Sequence, residues 1–437
     1  MLRLRNAVVV DGVRTAFTKG GRGKLEAARL DDIGAYLINV LFERNPKVKL
    51  TMIDDFGTGG DLGSGASHLA GLPDEMTDFS SARACATSQE TAMRISMAIM
   101  LDEYDCGISL GTERMGRQMG GGGARVARVP TRRDGPNPKA GQRTKFQRDM
   151  HPDHDKYFSV PIPDYVLDSP RASMLQTAQN VVEMYDQTRE ELDAFSMRSQ
   201  HKLAKAYNDG IYKDEVIPVE VEQPVFDDQG NWVPEEVGPM VILDQDEGLR
   251  PNTTMEVLAG LKPVAGLVSY KGGPLFITAG NSCPTNAGVT VQLLMSEEMA
   301  LDLGIDFLAR IVGWGNGGVK QQIMGVGPVV STPKALKHAG LEADQIDRVE
   351  FNEAFACQVI ASLKEWEVHG YGIPEEKVNV NGGSIGIGHP ICATGNRLWM
   401  TVCKELRRSN KRYGLATQCC GNGEGMTVIF ENPDAPK

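Results

Sequence analysis

The 437-residue sequence has little cysteine, no surplus of positive charge and no long apolar run, and each shortage removes a class of protein. Its eight cysteines, at 85, 106, 283, 357, 392, 403, 419 and 420, are too few to staple a scaffold of this length. They form no C-x-x-C pairs, which argues against zinc and iron–sulfur sites and leaves reduced thiols in a cytoplasmic chain as the simpler reading. Lys and Arg number 46 against 57 Asp and Glu, a net charge of -11, so nucleic-acid binding is not the chain's general task. No stretch approaches the roughly 20 apolar residues that cross a bilayer. The opening MLRLRNAVVVDG reaches Asp11 after a very short apolar run, which fits a first strand better than a signal peptide. The glycine-rich GTGGDLGSG at 57–65 reads as a loop. It lacks both an in-frame G-x-G-x-x-G and a GKS or GKT, so it is no nucleotide-phosphate cradle.

What is present is globular: 41% of residues are hydrophobic, and the length suits two or three domains. Residues 7–10 read as a strand and 30–42 as an amphipathic helix. From Thr87 a helix crowded with apolar and small residues on every face is expected to be buried on most sides. A strand at 106–111 follows. Residues 114–148 then carry ten Lys or Arg against the single acid Asp134, which suits either an exposed insertion or a patch for phosphates, a partner or an anionic surface. A helical tract over 174–209 stops at Gly210. Residues 116–284 therefore look like an insertion with its own small fold. Beyond it the pattern predicts a helix at 286–302, a strand at 307–312 and a helix around 333–340. A strand at 347–351, a helix opening at Asn352, a helix after Pro390 and the strands LATQCC and MTVIF complete the chain. Strands alternating with helices in both halves indicate an α/β fold with buried sheets.

Four places could carry chemistry. Cys85 lies just before the expected helix start, where free backbone N–H groups favour a thiolate and lower its pKa; a cysteine among small residues also suits an inert buried thiol. His389, in NGGSIGIGHPICATG, stands at the mouth of a helix opened by Pro390, among glycines that bring backbone close to something. It is placed for polar work or for satisfying a nearby carbonyl. Cys419 and Cys420 end a strand and precede the turn GNGEG, where α/β proteins expose reactive side chains and free N–H groups. Core cysteines on opposite strand faces fit that pair equally. Asn352 and Glu353 directly follow a strand and either cap the next helix or face a cleft. With Glu353 as base, a Cys–His–Asn/Glu hydrolase stays open on these grounds.

Together these segments resemble the thiolase family over nearly the whole chain. DGVRTAF looks like the opening strand and turn, and RACATS surrounds Cys85. SMLQTAQNV and RSQHKLAKAYNDG are similar to the loop-domain helices, and ITAGNSCPTNAG to the return into the core. NEAFA, NGGSIGIGHP and CCGNGEG complete the set. The nucleophile motif and the length lean toward the 3-ketoacyl-CoA thiolase and trifunctional-enzyme β-subunit branch. The resemblance implies two similar core domains in an α-β-α-β-α arrangement, residues 1–115 with 285–305 and residues 306–437. A loop domain, 116–284, would cover coenzyme A.

The resemblance also implies roles. Cys85 is the nucleophile and His389 its activator, with Cys419 rather than Cys420 the acid and base. His389 and a water held by Asn352 serve the enolate oxygen, the N–H groups of Cys85 and Gly421 serve the acyl-transfer oxyanion, and Glu353 is structural. Met174 matches a pantetheine contact, Arg250 a residue near the adenine end, and Cys283 a position where many members place serine. PTNAG lacks that loop's usual acid, and Cys392 with Thr394 departs from the common GASG. Coenzyme A is a substrate, with no permanently bound cofactor and no metal. A homodimer or larger assembly is implied, and the basic segment could meet CoA phosphates, a hydratase/dehydrogenase partner subunit or a membrane surface. The activity implied is reversible cleavage of 3-oxoacyl-CoA by CoA. The alternatives are acetoacetyl-CoA synthesis, branched or aromatic substrates, irreversible condensation, and a non-catalytic CoA- or lipid-binding scaffold.

Overall fold

The computed structural model describes residues 4–60, 63–115, 154–163, 172–229, 232–233 and 235–436; beyond Met115 the basic stretch of 114–148 lies outside the described residues. In chain order the first strands are β1 (Ala7–Arg14), β2 (Thr18–Lys19), β3 (Asp55–Gly59), β4 (Thr77–Ser81) and β5 (Cys106–Arg114). After β6 (Val219–Glu222) and β7 (Met240–Leu243), which pair only with each other, come β8 (Asn286–Ser296), β9 (Ala309–Gly318), β10 (Arg348–Phe351), β11 (Tyr413–Cys420) and β12 (Glu424–Glu431).

The large sheet is a doubled pattern. Its N-terminal half runs β1-β8-β5-β3-β4 and its C-terminal half β9-β12-β11-β10, the two meeting where Val8 and Val9 oppose Arg310 and Ala309. The pairing senses repeat: β1/β8 and β8/β5 are antiparallel like β9/β12 and β12/β11, while β5/β3 is parallel like β11/β10. Even β4 has a counterpart, since Val378 bridges β10 in parallel as β4 pairs β3.

Helices fill the layers. On the outer faces, α1 (Leu30–Arg44) covers the N-terminal half, and α7 (Gly327–Ala339) lies against β9 and β12. Between the halves, α3 (Thr87–Met100) and α9 (Thr394–Arg408) pack on each other, buried on most sides as the small and apolar residues of α3 predict. The apolar cluster there joins Val9, Ile95 and Ile99 to Trp399, Val402 and Phe430, so both halves share one interior. Among the described residues the other α-helices of six residues or more are α2 (Gly63–Leu69), α4 (Met174–Met184), α5 (Arg189–Asn208), α6 (Glu297–Asp302) and α8 (Ala356–Val368).

Several elements differ from the sequence reading. The glycines of 57–59 lie in strand β3, because α3 crosses β3 too closely for side chains: a Cβ on Gly57 would stand 2.4 Å from Thr91 Cγ2 and 2.7 Å from Phe79. Residues 286–296, expected helical, form β8, all eleven buried; Asn286, Gly288, Thr290 and Gln292 alternate with Ala287, Val289, Val291 and Leu293, the two-residue period of a strand. Only 297–302 is helical. The tract 174–209 is two helices, broken at Asp186 (φ 49°) and restarted by Thr188, which caps α5 in a reciprocal box with Glu191. The described residues of the inserted segment pack into the interiors of both halves. Val181, Leu192 and Phe195 join the apolar cluster of the C-terminal half, and Leu203, Tyr212 and Leu243 that of the N-terminal half. Fully buried Arg14 on β1 ties it down further, bonding Glu215 and Asp246.

Candidate active site

The doubled sheet brings equivalent chain positions to one place. In the first half the chain leaves β4, turns at Cys85 and enters α3; in the second it leaves the Val378 bridge, turns at His389 and enters α9. Asn352 follows β10, and Cys419 stands at the end of β11.

The Cys85 turn is held tightly. Ala84 adopts φ 44°, a left-handed conformation that costs an L-residue about 1–2 kcal/mol. Thr87 fixes it by accepting from Arg83 N–H at 2.9 Å and donating to Ala84 O at 2.7 Å. The Cys85 sulfur faces the N–H of Gly421 as well as its own. That proximity leaves little room, since a Cβ on Gly421 would come within 3.2 Å of Ala84 Cβ. Cys283, Cys392, Cys419 and Cys420 all lie within electrostatic reach of Cys85. Cys419 belongs to the apolar cluster that Cys283 adjoins, whereas Cys420 faces the inner helices.

Asn352 and His389 form the other half of the centre, with Asn352 Nδ2 3.4 Å from His389 Nε2. His389 is held from behind: its backbone N–H donates to Asn286 Oδ1 at 2.8 Å, and its ring Nδ1 lies 2.7 Å from Thr394 Oγ1. Thr394 gives its own proton to Pro390 O at 2.9 Å, so it accepts from Nδ1–H and leaves the Nε2 lone pair toward Asn352. Gly388 (φ 111°) permits this approach, because a Cβ there would meet the Asn286 amide at 2.6 Å.

Electrostatics correct one expectation. Burial pushes the Cys85 thiol up to about 11, outweighing the two N–H groups that stabilise its thiolate, and it raises Cys419 well above the ordinary thiol range. Burial, then Arg397, pushes His389 down to about 3. The resting centre therefore holds neutral thiols beside a neutral imidazole. Asn352 caps no helix either: its N–H pairs with Thr417 O at 2.9 Å, and α8 begins four residues later. Glu353 is fully engaged, accepting from Ser199, Asn379 and the Ile385 N–H, which suits a structural carboxylate rather than a base.

A cavity of about 450 Å³ is lined by Lys19, Arg250, Val257, Leu258, Pro284 and Ile385; Cys85, Asn352, His389 and Cys419 are not among its lining residues, and Pro284 and Ile385 follow Cys283 and Ser384 in the chain. Arg250 thus lies on its wall, with the guanidinium folded onto the carbonyls of Glu247 and Leu249. Cys283 is half-buried beside Pro284. Met174 is exposed at the start of α4 and is not among the lining residues. Sequence reading missed Ser384, Arg397 and Glu350, which stand behind Asn352. No local signal singled out Arg397, because α9 also carries Lys404, Glu405, Arg407 and Arg408. Among the described residues no group of His, Cys, Asp and Glu could hold a metal, and no helix is long and apolar enough to cross a membrane.

A doubled α/β sheet enclosing two buried helices, with a cysteine at the mouth of one and a histidine at the mouth of the other, defines a thiolase-fold acyltransferase. The description "Thiolase, N-terminal domain" matches residues 7–298 and "Thiolase, C-terminal domain" residues 305–432; the chain belongs to the thiolase family. It is 33% identical to the 3-ketoacyl-CoA thiolase of Bacillus subtilis (strain 168), over 98% of this chain and 100% of that one. Identity is also 33%, with the same coverage, to the 3-oxoadipyl-CoA/3-oxo-5,6-dehydrosuberyl-CoA thiolase of Escherichia coli (strain K12). Among solved structures, human mitochondrial 3-ketoacyl-CoA thiolase aligns with a TM-score of 0.76 at 27% identity, covering 98% of this chain and all of that one. The Bacillus anthracis acetyl-CoA acetyltransferase gives 0.78 at 29%, covering 99% and all of that chain.

Proposed function

We propose that the protein is a 3-ketoacyl-CoA thiolase, cleaving 3-oxoacyl-CoA with CoA into acetyl-CoA and a shortened acyl-CoA. The observations that carry this reading are the Cys85 sulfur facing the Gly421 N–H with Cys419 in its neighbourhood, and the Asn352–His389 pair, whose histidine is on the segment that brings Cys392 close to Cys85. Cys85 passes its proton to His389 Nε2 as its sulfur bonds to the substrate C3. The resulting alkoxide sits at the N–H groups of Cys85 and Gly421. Collapse breaks the C2–C3 bond, leaving the acyl group on Cys85 and the electron pair in an acetyl-CoA enolate. Asn352 and His389 stabilise its oxygen, and the Cys419 S–H protonates its carbon. An incoming CoA thiol then gives its proton to the Cys419 thiolate and takes the acyl group, and Cys85 recovers its proton from His389. With both thiols held protonated by burial, His389 must accept the proton during attack, so a neutral imidazole is the form required.

The cavity beside Pro284 and Ile385 is the proposed CoA cleft, with Arg250 toward the adenine end and Cys283 near pantetheine; Met174 is proposed at its outer edge. A panel of acetoacetyl-, 3-oxooctanoyl-, 3-oxopalmitoyl- and aromatic 3-oxoacyl-CoA tests the reading and sets its substrate range. Turnover of acetoacetyl-CoA alone would favour the biosynthetic variant, and no CoA-dependent cleavage of any member would remove the degradative reading. Cys85→Ser should abolish the acyl-enzyme adduct seen by intact mass. Cys419→Ser should still acylate from acyl-CoA but lose exchange of the acetyl-CoA α-protons. Normal exchange in that variant would reject Cys419 as the acid and base.

A further inference from the structure

An amide side chain is useful at an oxyanion only if its N–H end faces the developing charge, and nothing within Asn352 itself determines which end that is. Two fully buried residues behind it do. Arg397 Nη2 donates to Ser384 Oγ at 2.8 Å, and Ser384 Oγ lies 2.7 Å from Asn352 Oδ1. A guanidinium has donors only. Ser384 must therefore accept from Arg397, and its single proton is left for Asn352, which has to present its carbonyl oxygen on this side. The Nδ2–H donors then point the opposite way, where His389 Nε2 stands. Gln358 fixes the same residue's backbone by donating to Asn352 O at 2.7 Å. Arg397 is in turn held by Glu350, also buried.

We propose that Arg397 and Ser384 are positioning residues that set the polarity of the Asn352 amide and so keep its N–H donors on the enolate oxygen. This rests on the thiolase reading above and extends it to residues that do not touch substrate. The guanidinium also acts directly on the centre, since its charge is one of the causes that lower the His389 pKa. Loss of the Ser384 hydroxyl removes the constraint. The amide can then turn its oxygen toward the enolate, where it repels.

The test separates two rates in the full chain. Deuterium exchange of acetyl-CoA α-protons, followed by NMR, requires the enolate. Transfer of a labelled acyl group between acyl-CoA and CoA requires Cys85 and its own oxyanion donors, but no enolate. Removing one oxyanion donor costs about 10²–10³ in rate, and misorienting one should cost at least about tenfold. Ser384→Ala is expected to lower proton exchange about tenfold or more beyond any loss in acyl transfer, and Ser384→Thr, which keeps the hydroxyl, to restore the parent's ratio. The pair Arg397→Met with Glu350→Gln leaves no buried carboxylate unpaired. If its thermal melt matches the parent, it should reproduce the Ser384→Ala ratio. Equal losses in both rates, or undiminished exchange in Ser384→Ala, overturn the proposal. Absence of both rates in the parent protein removes the thiolase reading itself, and this inference with it.

Discussion

At the scale of single residues, the centre works through hydrogen bonds that assign protons. Thr394 decides the His389 tautomer by donating its own proton to Pro390 O, leaving the Nε2 lone pair available, as the proposed role of base requires. Thr394→Val should therefore slow Cys85 acylation about 10²-fold, the low end of a general-base contribution. Thr394→Ser should retain most of the rate; stopped-flow acylation would show whether it does. The buried imidazole also makes a prediction about stability. His389 titrates near 3 when folded and about 6.5 when unfolded, so between those values the unfolded chain binds more protons. Stability from this group is complete above about pH 6.5 and is lost as pH falls below it, by at most about 1.4 kcal/mol per pH unit. Urea midpoints at pH 7 and pH 5 should converge in His389→Gln relative to the parent; an unchanged difference would mean that other groups carry the acid sensitivity. The sequence marked Cys85, His389, Asn352 and Cys419 as candidates through their local context. It could not reveal that burial, rather than the α3 N-terminus, dominates the thiol, because desolvation depends on what packs around a residue.

At the scale of elements, the position of Cys85 depends on how closely α3 approaches β3. Gly57 provides that closeness. Gly57→Ala places a methyl 2.4 Å from Thr91 Cγ2, which requires α3 to shift and should cost about 1–3 kcal/mol in urea unfolding. The same variant should slow acylation, because α3 begins two residues after Cys85; unaltered stability would show that the helix–strand contact is more yielding than its geometry suggests. This contact explains why 57–59 was misread. Glycine in a sequence signals either a turn or a close crossing, and only the crossing partner distinguishes them. Strand β8 is a different case: Asn286, Gly288, Thr290 and Gln292 alternate with Ala287, Val289, Val291 and Leu293, so its two-residue period was legible in the sequence itself.

At the scale of the whole molecule, the two halves share the layer of α3 and α9 and should unfold as one. Trp399 is completely buried there, edge-on to Phe430 with ring centroids 5.0 Å apart. Trp399→Ala should lower stability by about 3–5 kcal/mol and move the entire calorimetric transition, not part of it. Two separated transitions in the parent would contradict a common interior. The sequence by itself determined the α/β class, many of the strands and helices, and the residue types able to carry thiol–imidazole chemistry, because propensity and side-chain chemistry are local. The tertiary structure decided which of them meet. The repeat of the half-sheets sets the Cys85 and His389 turns at equivalent places, and β10 and β11 deliver Asn352 and Cys419 to the same centre. It also decided protonation and amide polarity, since these follow from burial and from partners such as Arg397 and Ser384, which lie 45 and 32 residues from Asn352 along the chain and in direct series with it in space.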